Sequence, residues 1–334
     1  MIIQYNGRHK YNVVVGRNII SSLNDYYHFK NEKKLLFVDE NIAEEDVKKI
    51  TNNLNNCFVY RFKSGEESKK LEVVYDVLAY LINHKFSRSD FLISVGGGVS
   101  SDIGGFVASI YKRGMNFAII ATTTLAMVDA SIGGKNGVDF NGIKNTFGTF
   151  YNPKLVICDL DLLKTLPKRH FYNGLVEALK MGLLVDEKLY NLFLKGDLEH
   201  DLEQIITLAV TDKINIVKKD EIDSSLRMIL NFGHTIGHAI ETINLGNVYH
   251  GEAVAYGMLY MIDDKRLRLE VKNILNKMNI NTDRKENNEL IKQYVLQDKK
   301  IRNGILNLIC LHKLNDFYVC KIREEDFDVP NLQR

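Results

Sequence analysis

Three of the nine histidines fall within 17 residues. His234 and His238, in Asn231-Phe-Gly-His-Thr-Ile-Gly-His-Ala-Ile-Glu241, stand four apart and so share one face of a helix. His250-Gly-Glu252 follows twelve residues later. Imidazoles gathered this way suit a divalent transition metal, most simply Zn²⁺ with one position left open. A lone histidine there would read as structural. The chain has no His-Glu-x-x-His, so a protease reading has little support.

Three other segments can carry chemistry. In Ser94-Val-Gly-Gly-Gly-Val-Ser-Ser-Asp-Ile-Gly-Gly a buried strand runs through three glycines into a helix. Bare N–H groups at such a helix start bind phosphate well, although a tight strand-to-helix turn would use the same residues. The spacing differs from G-x-G-x-x-G. In Ala121-Thr-Thr-Thr-Leu-Ala-Met-Val-Asp-Ala-Ser-Ile-Gly-Gly-Lys135 a strand ends in three hydroxyls, followed by an acid and a lysine. Loops past the carboxyl ends of parallel strands are where α/β proteins bind ligands, but Asp129 and Lys135 would equally make a surface pair. In Gly174-Leu-Val-Glu-Ala-Leu-Lys180 the acid and the lysine are three apart on an apolar helix. They read either as an ion pair worth a few tenths of a kcal/mol or as a metal-ligating carboxylate beside a cation.

The elements that must position these groups follow from periodicity. Short apolar runs at Tyr11–Val15, Lys34–Asp39, Cys57–Phe62, Phe91–Val95, Phe117–Thr122 and Leu155–Asp159 read as strands, with helical spacing over Leu71–His84. Strand and helix in alternation predict an α/β domain with a parallel, Rossmann-like sheet. Beyond about residue 160 strand candidates nearly vanish. Asn173–Val185, Leu202–Lys219, Leu230–Ile243, Glu252–Leu269 and Glu289–Gln297 read as helices, while Gly304–Lys313 is ambiguous. The expected organisation is an α/β nucleotide-binding domain over residues 1–160 and an all-α, metal- and substrate-binding domain over 161–334.

Composition narrows the function. With 334 residues, about two domains are expected. Lys plus Arg is 44 against 42 for Asp plus Glu, a net charge of +2 that argues against a nucleic-acid partner. No run of about 18 apolar residues suggests a membrane span, and the N-terminus lacks the pattern of a signal peptide. Cys57, Cys158, Cys310 and Cys320 are far apart and read as reduced thiols of a cytoplasmic protein. The 23 glycines cluster between Gly96 and Gly148 and again from Gly233 to Gly257, as loops approaching a ligand would require.

In this order the motifs resemble the 3-dehydroquinate synthase family of sugar-phosphate cyclases, over about residues 35 to 310 and most densely over Gly96–Glu177 and Arg227–Gly257. The resemblance implies NAD as cofactor and Zn²⁺, with Co²⁺ able to substitute. On the nucleotide it implies Asp39, Asn41, Glu66, Lys69, Gly97, Gly98, Val99, Asp102, Thr122, Thr123, Leu125, Asp129, Lys135, Lys144, Thr165 and Leu166. On the metal it implies Glu177, His234 and His250. For substrate and catalysis it implies Lys135, Lys180, Lys213, Arg227, Asn231 and His238, with Arg113, Asp129, Lys144, Asn145 and Lys299 or Lys300 as further contacts. Lys135, Arg227 and Asn231 would take a carboxylate. Lys180, Asn145, His238 and the late lysine would take a phosphate, with Arg113 reaching from the partner in a homodimer. The substrate implied is a phosphorylated keto acid, 3-deoxy-D-arabino-heptulosonate 7-phosphate. Its C5 hydroxyl is oxidised transiently, phosphate leaves, the hydride returns, and an aldol step closes the carbocycle. The departing phosphate helps remove the C6 proton, so no strong base need stand among the motifs.

The sequence departs from the family pattern at several positions. Ser64 and Ala121 stand where proline is usual, and Ser101 replaces a glycine. Ala130 replaces a serine, His170 a glutamate that contacts NAD, and Asp223 a glutamate near the active site. These changes bear on NAD affinity more than on the reaction. The rival readings are another sugar-phosphate cyclase, a metal-dependent polyol dehydrogenase and a non-enzymatic NAD-binding regulator. Net NADH formation would mark the dehydrogenase, phosphate release without it a cyclase, and bound NAD without turnover the regulator.

Overall fold

The computed structural model describes residues 1–334 except 224, 245, 284–285, 297–303 and 330–334. Two compact units divide the chain: Met1–Pro167 with Lys213–Ile222, and Lys168–Asp212 with Asp223–Arg334. The sequence changes character near residue 160, but Leu160–Thr165 forms a 3₁₀ turn whose Leu162 packs into the core under the sheet. The division therefore falls after Pro167.

The first unit holds nine strands. They are β1 (Ile2–Tyr5), β2 (Tyr11–Gly16), β3 (Lys34–Asp39), β4 (Cys57–Phe62), β5 (Phe91–Gly96), β6 (Asn116–Ala121), β7 (Lys135–Phe140), β8 (Ile143–Phe150) and β9 (Leu155–Asp159). Seven make one sheet in the order β1-β2-β9-β6-β5-β3-β4, parallel except for the edge strand β1. The central strands are apolar along their whole length because both faces are covered, and β5 is buried at every residue. On one face Leu36, Val38, Ile93, Val95 and Ile120 pack with Val47 and Ile50 of the helix Glu44–Asn52. All six predicted strands are present. β1 and the antiparallel hairpin β7–β8 were not anticipated.

The second unit is mainly helical. Lys168–Leu184 is buried almost all round, as a central helix must be. Beside it lie His234–Ile243 and His250–Tyr260, which approach so closely that a Cβ on Gly257 would sit 1.8 Å from the Gly233 carbonyl oxygen. The expected single helix Glu252–Leu269 is two helices. Asp263 N–H donates to the Leu311 carbonyl and Leu311 N–H to that of Met261, which pins the chain at Met261–Asp263. Asp264 then caps a new helix, Lys265–Lys277. The ambiguous run is strand β10 (Ile305–Lys313), paired with β11 (Asp316–Arg323), so the helical unit carries one hairpin. Among the described residues no helix is long and apolar enough to cross a membrane. All four cysteines are free.

Candidate active site

In the first unit, β3 is flanked by β4 on one side and β5 on the other, so the winding reverses between β3 and β5. Ligands of open α/β sheets bind outside the carboxyl ends at such a reversal. Asp39 ends β3, and Gly96 ends β5. A Cβ on Gly96 would lie 3.1 Å from that of Asp39 and 2.7 Å from that of Ser100. The helix Gly98–Ile110 starts there with no side-chain cap and no acid in its first turn, which leaves its N-terminus suited to an anion. Asp39 is held in place: Ser64 Oγ donates to its Oδ2 and Asn41 N–H to its Oδ1, both at 2.9 Å. Ser64 N–H, which a proline would lack, donates to Glu40 Oε1 at 3.0 Å.

Lys69 Nζ lies 2.6 Å from Asp102 Oδ2 and 4.0 Å from Glu66 Oε1. Loss of water pushes the Asp102 carboxyl up to about 6, despite the opposing pull of Lys69. Burial alone would lower Lys69, but Asp102 and Glu66 reverse that and raise it. A carboxyl that titrates near 3.8 in the unfolded chain and near 6 in the fold binds its proton more tightly when folded. Stability therefore falls as pH rises from about 4 to about 6. Asp102→Asn removes this titration. Urea unfolding should show its stability rising relative to wild type across that window and levelling above it. A pH-independent difference would contradict the assignment.

Thr122 N–H donates to the Gly96 carbonyl at 2.9 Å, and Thr123 Oγ1 accepts from Ala126 N–H at 3.1 Å. The chain past Leu125 runs through a π turn, Ala126–Ala130. Lys213 Nζ donates to the Asp129 carbonyl at 2.6 Å and is ion-paired with its carboxylate. Lys135 opens β7, while Lys144 and Asn145 lie exposed on β8. Thr165 and Leu166 close the turn after β9. Arg113 stands beyond the C-terminal end of Gly98–Ile110, about 20 Å along the helix from its glycine start. Within this unit Arg113 is therefore apart from Gly97, Gly98, Val99 and Asp102.

In the second unit, three helices bring Glu177, His234, His238 and His250 together. The histidine donor atoms lie within 4.8 Å of one another. Glu177 is 2% exposed, and its Oε1 is 3.6 Å from His234 Nε2 and 3.8 Å from His250 Nε2. That Oε1 is one of the few buried side-chain oxygens without a hydrogen-bond partner among the described residues. Glu177 Oε2 is bonded by Lys180 Nζ, which also donates to the Leu230 carbonyl at 2.8 Å. Spacing alone leaves this pair open between ion pair and metal ligand; here Oε2 makes the ion pair and Oε1 faces the imidazoles.

Both imidazoles are oriented through their other nitrogen. His234 Nδ1 lies 3.0 Å from the Phe232 carbonyl oxygen, and His250 Nδ1 lies 3.1 Å from Glu241 Oε2. Such outer partners fix the tautomer that presents Nε2 to a metal. Burial, then the charges of Lys180, His250 and His238, hold His234 well below its usual range, in the neutral form that ligates. A tetrahedral ion with bonds near 2.1 Å has donors about 3.4 Å apart. Glu177 Oε1 lies within a few tenths of an ångström of this from each Nε2 atom, so the residues fit a Zn²⁺-type ion.

Arg227 and Asn231 lie on the 3₁₀ turn Leu226–Asn231, with Arg227 buried. His170 stacks on Tyr249, ring centroids 4.7 Å apart. Lys299 and Lys300 lie outside the described residues. Sequence reasoning assigned no role to Glu241, although its place three residues after His238 put it on the histidine face. It also assigned none to Ser64 beyond noting the missing proline.

The family described as 3-dehydroquinate synthase N-terminal matches residues 59–173, and 3-dehydroquinate synthase C-terminal matches 174–301. A 3-dehydroquinate synthase of Acetivibrio thermocellus is 40% identical over 316 residues, covering 88% of this chain and 87% of that protein. One of Saccharolobus solfataricus is 44% identical over 255 residues, covering 74% and 70%. Among solved structures, a 2-deoxy-scyllo-inosose synthase complexed with carbaglucose-6-phosphate, NAD⁺ and Co²⁺ superposes with TM-score 0.88 at 23% identity, covering 100% and 99%. A 2-epi-5-epi-valiolone synthase from Streptomyces hygroscopicus with NAD⁺ and Zn²⁺ bound gives TM-score 0.85 at 23% identity, covering 99% and 97%. These two share the fold.

Proposed function

The chain belongs to the 3-dehydroquinate synthase family, and we propose that it converts 3-deoxy-D-arabino-heptulosonate 7-phosphate to 3-dehydroquinate and phosphate. The observation that supports this reading most directly is the buried, unpartnered Glu177 oxygen aimed at two imidazole nitrogens. A metal held by Glu177, His234 and His250 supplies a Lewis acid for the substrate's C4 and C5 hydroxyls. NAD, held by the Gly96–Asp102 turn with Asp39, Lys69 and Thr123, supplies a hydride acceptor that is restored within each turnover.

The chain's own residues bind and orient the substrate. Lys180 balances the Glu177 carboxylate and takes the phosphate with His238. Arg227 and Asn231 take the carboxylate, where the arginine fork suits a planar anion. Asp129 holds the buried Lys213 in place as a cation. Incubation with the heptulosonate phosphate, NAD⁺ and Zn²⁺ should yield 3-dehydroquinate by NMR. A different carbocycle or an uncyclised ketone would overturn the reading.

Nucleotide affinity offers a further test. A Cβ on Gly98 would lie 3.4 Å from Ala130 Cβ, so residue 130 faces the start of the nucleotide-binding helix. The family's serine would place a hydroxyl there. One neutral hydrogen bond is worth on the order of 0.5–1.5 kcal/mol, so Ala130→Ser should bind NAD⁺ roughly threefold to tenfold more tightly in calorimetric titration. Unchanged or weaker binding would count against this placement.

A further inference from the structure

Glu177 is the last of three residues spaced four apart on the helix Lys168–Leu184, the others being Arg169 and Asn173. Residues at i, i+4 and i+8 form one ridge, here about 12 Å long. All three meet the first turn of the helix His250–Tyr260. Arg169 Nε and Nη2 grip Glu252 Oε1 and Oε2 at 2.6 and 2.8 Å, and Nη2 also donates to the Asn247 carbonyl at 2.6 Å. The guanidinium lies 3.9 Å from the centre of the Tyr249 ring. Glu252 Oε2 in turn accepts from Tyr249 N–H at 3.0 Å.

One step along the ridge, Asn173 Oδ1 accepts from Gly251 N–H at 2.7 Å and from Glu252 N–H at 3.3 Å. A first turn has no preceding carbonyls to take its N–H groups, and here a cap from the neighbouring helix reaches them. The contact is backbone-tight: a Cβ on Gly251 would lie 1.9 Å from the Asn173 carbonyl oxygen. The third step is Glu177, whose Oε1 faces His250 Nε2 at 3.8 Å.

We infer that Asn173 and Arg169 are positioning residues that set the spacing of Glu177 and His250 as metal ligands. His250 is the first residue of its helix, where a chain end would fray without a cap. Asn173 anchors the very next residue to the helix that carries the other ligand. Arg169 holds the approach at Asn247, Tyr249 and Glu252. Metal bonds tolerate errors of only about 0.2 Å, so slack between these helices is expressed first as lost metal affinity. The inference rests on the proposed metal site.

The test is Zn²⁺ affinity of the metal-free full-length protein, by competition with a chromophoric chelator, together with its melting temperature and the visible spectrum of its Co²⁺ form. Asn173→Ala should weaken Zn²⁺ binding roughly tenfold to a hundredfold, as loss of an outer partner does, and should alter the Co²⁺ spectrum. Asn173→Asp keeps the acceptor and should restore affinity to within about threefold of wild type. An unchanged Zn²⁺ affinity in Asn173→Ala, with only the melting temperature lowered, would make the ridge structural and overturn the inference. Should Asn173→Ala fail to fold, Arg169→Lys keeps the charge and loses the fork. It should weaken Zn²⁺ binding by about threefold or more, and unchanged affinity would again overturn the inference. A wild-type protein that binds no Zn²⁺ would instead remove the metal reading itself.

Discussion

His238→Ala protein should still bind close to one Zn²⁺ per chain while losing most of its turnover, whereas His250→Ala should lose metal and turnover together. The two variants separate ligand sets that geometry alone allows, because all three histidine donors lie within 4.8 Å of one another. Glu177 favours the set with His234 and His250. Its unpartnered Oε1 faces the Nε2 atoms of His234 and His250. The Nδ1 atoms of these two imidazoles are held by oxygens of Phe232 and Glu241. Removing a direct ligand should cost more than the roughly tenfold to hundredfold loss seen when an outer partner goes. On the proposed reading His238 takes the substrate phosphate. Metal analysis after gel filtration checks both variants. Metal lost from His238→Ala but retained in His250→Ala would reverse the assignment.

Arg227→Ala should lower kcat/KM for the heptulosonate phosphate by a few kcal/mol, about 2–5, and much less for a phosphate sugar without a carboxylate such as glucose 6-phosphate. Lys180, Lys213 and Arg227 are all less than 5% exposed in a chain whose net charge is only +2. Buried cations are costly unless anions meet them. Arg227 is the buried group whose planar fork suits a carboxylate, and that carboxylate distinguishes this substrate from a simple sugar phosphate. An equal loss on both substrates would place Arg227 elsewhere. Efficient cyclisation of glucose 6-phosphate by the wild type would move the chain to another cyclase reaction.

The sheet was legible because its strands are buried on both faces and read as unbroken apolar runs between charged helices, as in Lys34–Asp39 and Phe91–Gly96. The hairpin β7–β8 was not, because Lys135–Phe150 mixes glycine, asparagine and lysine with exposed apolar residues and shows no single buried face. The break between His250–Tyr260 and Lys265–Lys277 was hidden for another reason: the bonds that pin it come from Leu311, some fifty residues away. The histidine cluster was visible as spacing on one helix, but its completion was not. Glu241 against His250, and Asn173 against Gly251, are contacts between helices, and periodicity along one helix carries no record of its neighbour. The departures Ser64 and Ala130 were readable as residue types. Only the packing gives them a place, against Asp39 and opposite Gly98.

The most direct test of the central claim is a progress curve with NAD⁺ supplied well below the heptulosonate phosphate, following phosphate release and NADH absorbance together. The account predicts many phosphates released per NAD⁺, with equimolar 3-dehydroquinate and no accumulating NADH, and no reaction after the metal is removed. Stoichiometric NADH, or a reaction that stops once NAD⁺ is consumed, would contradict it.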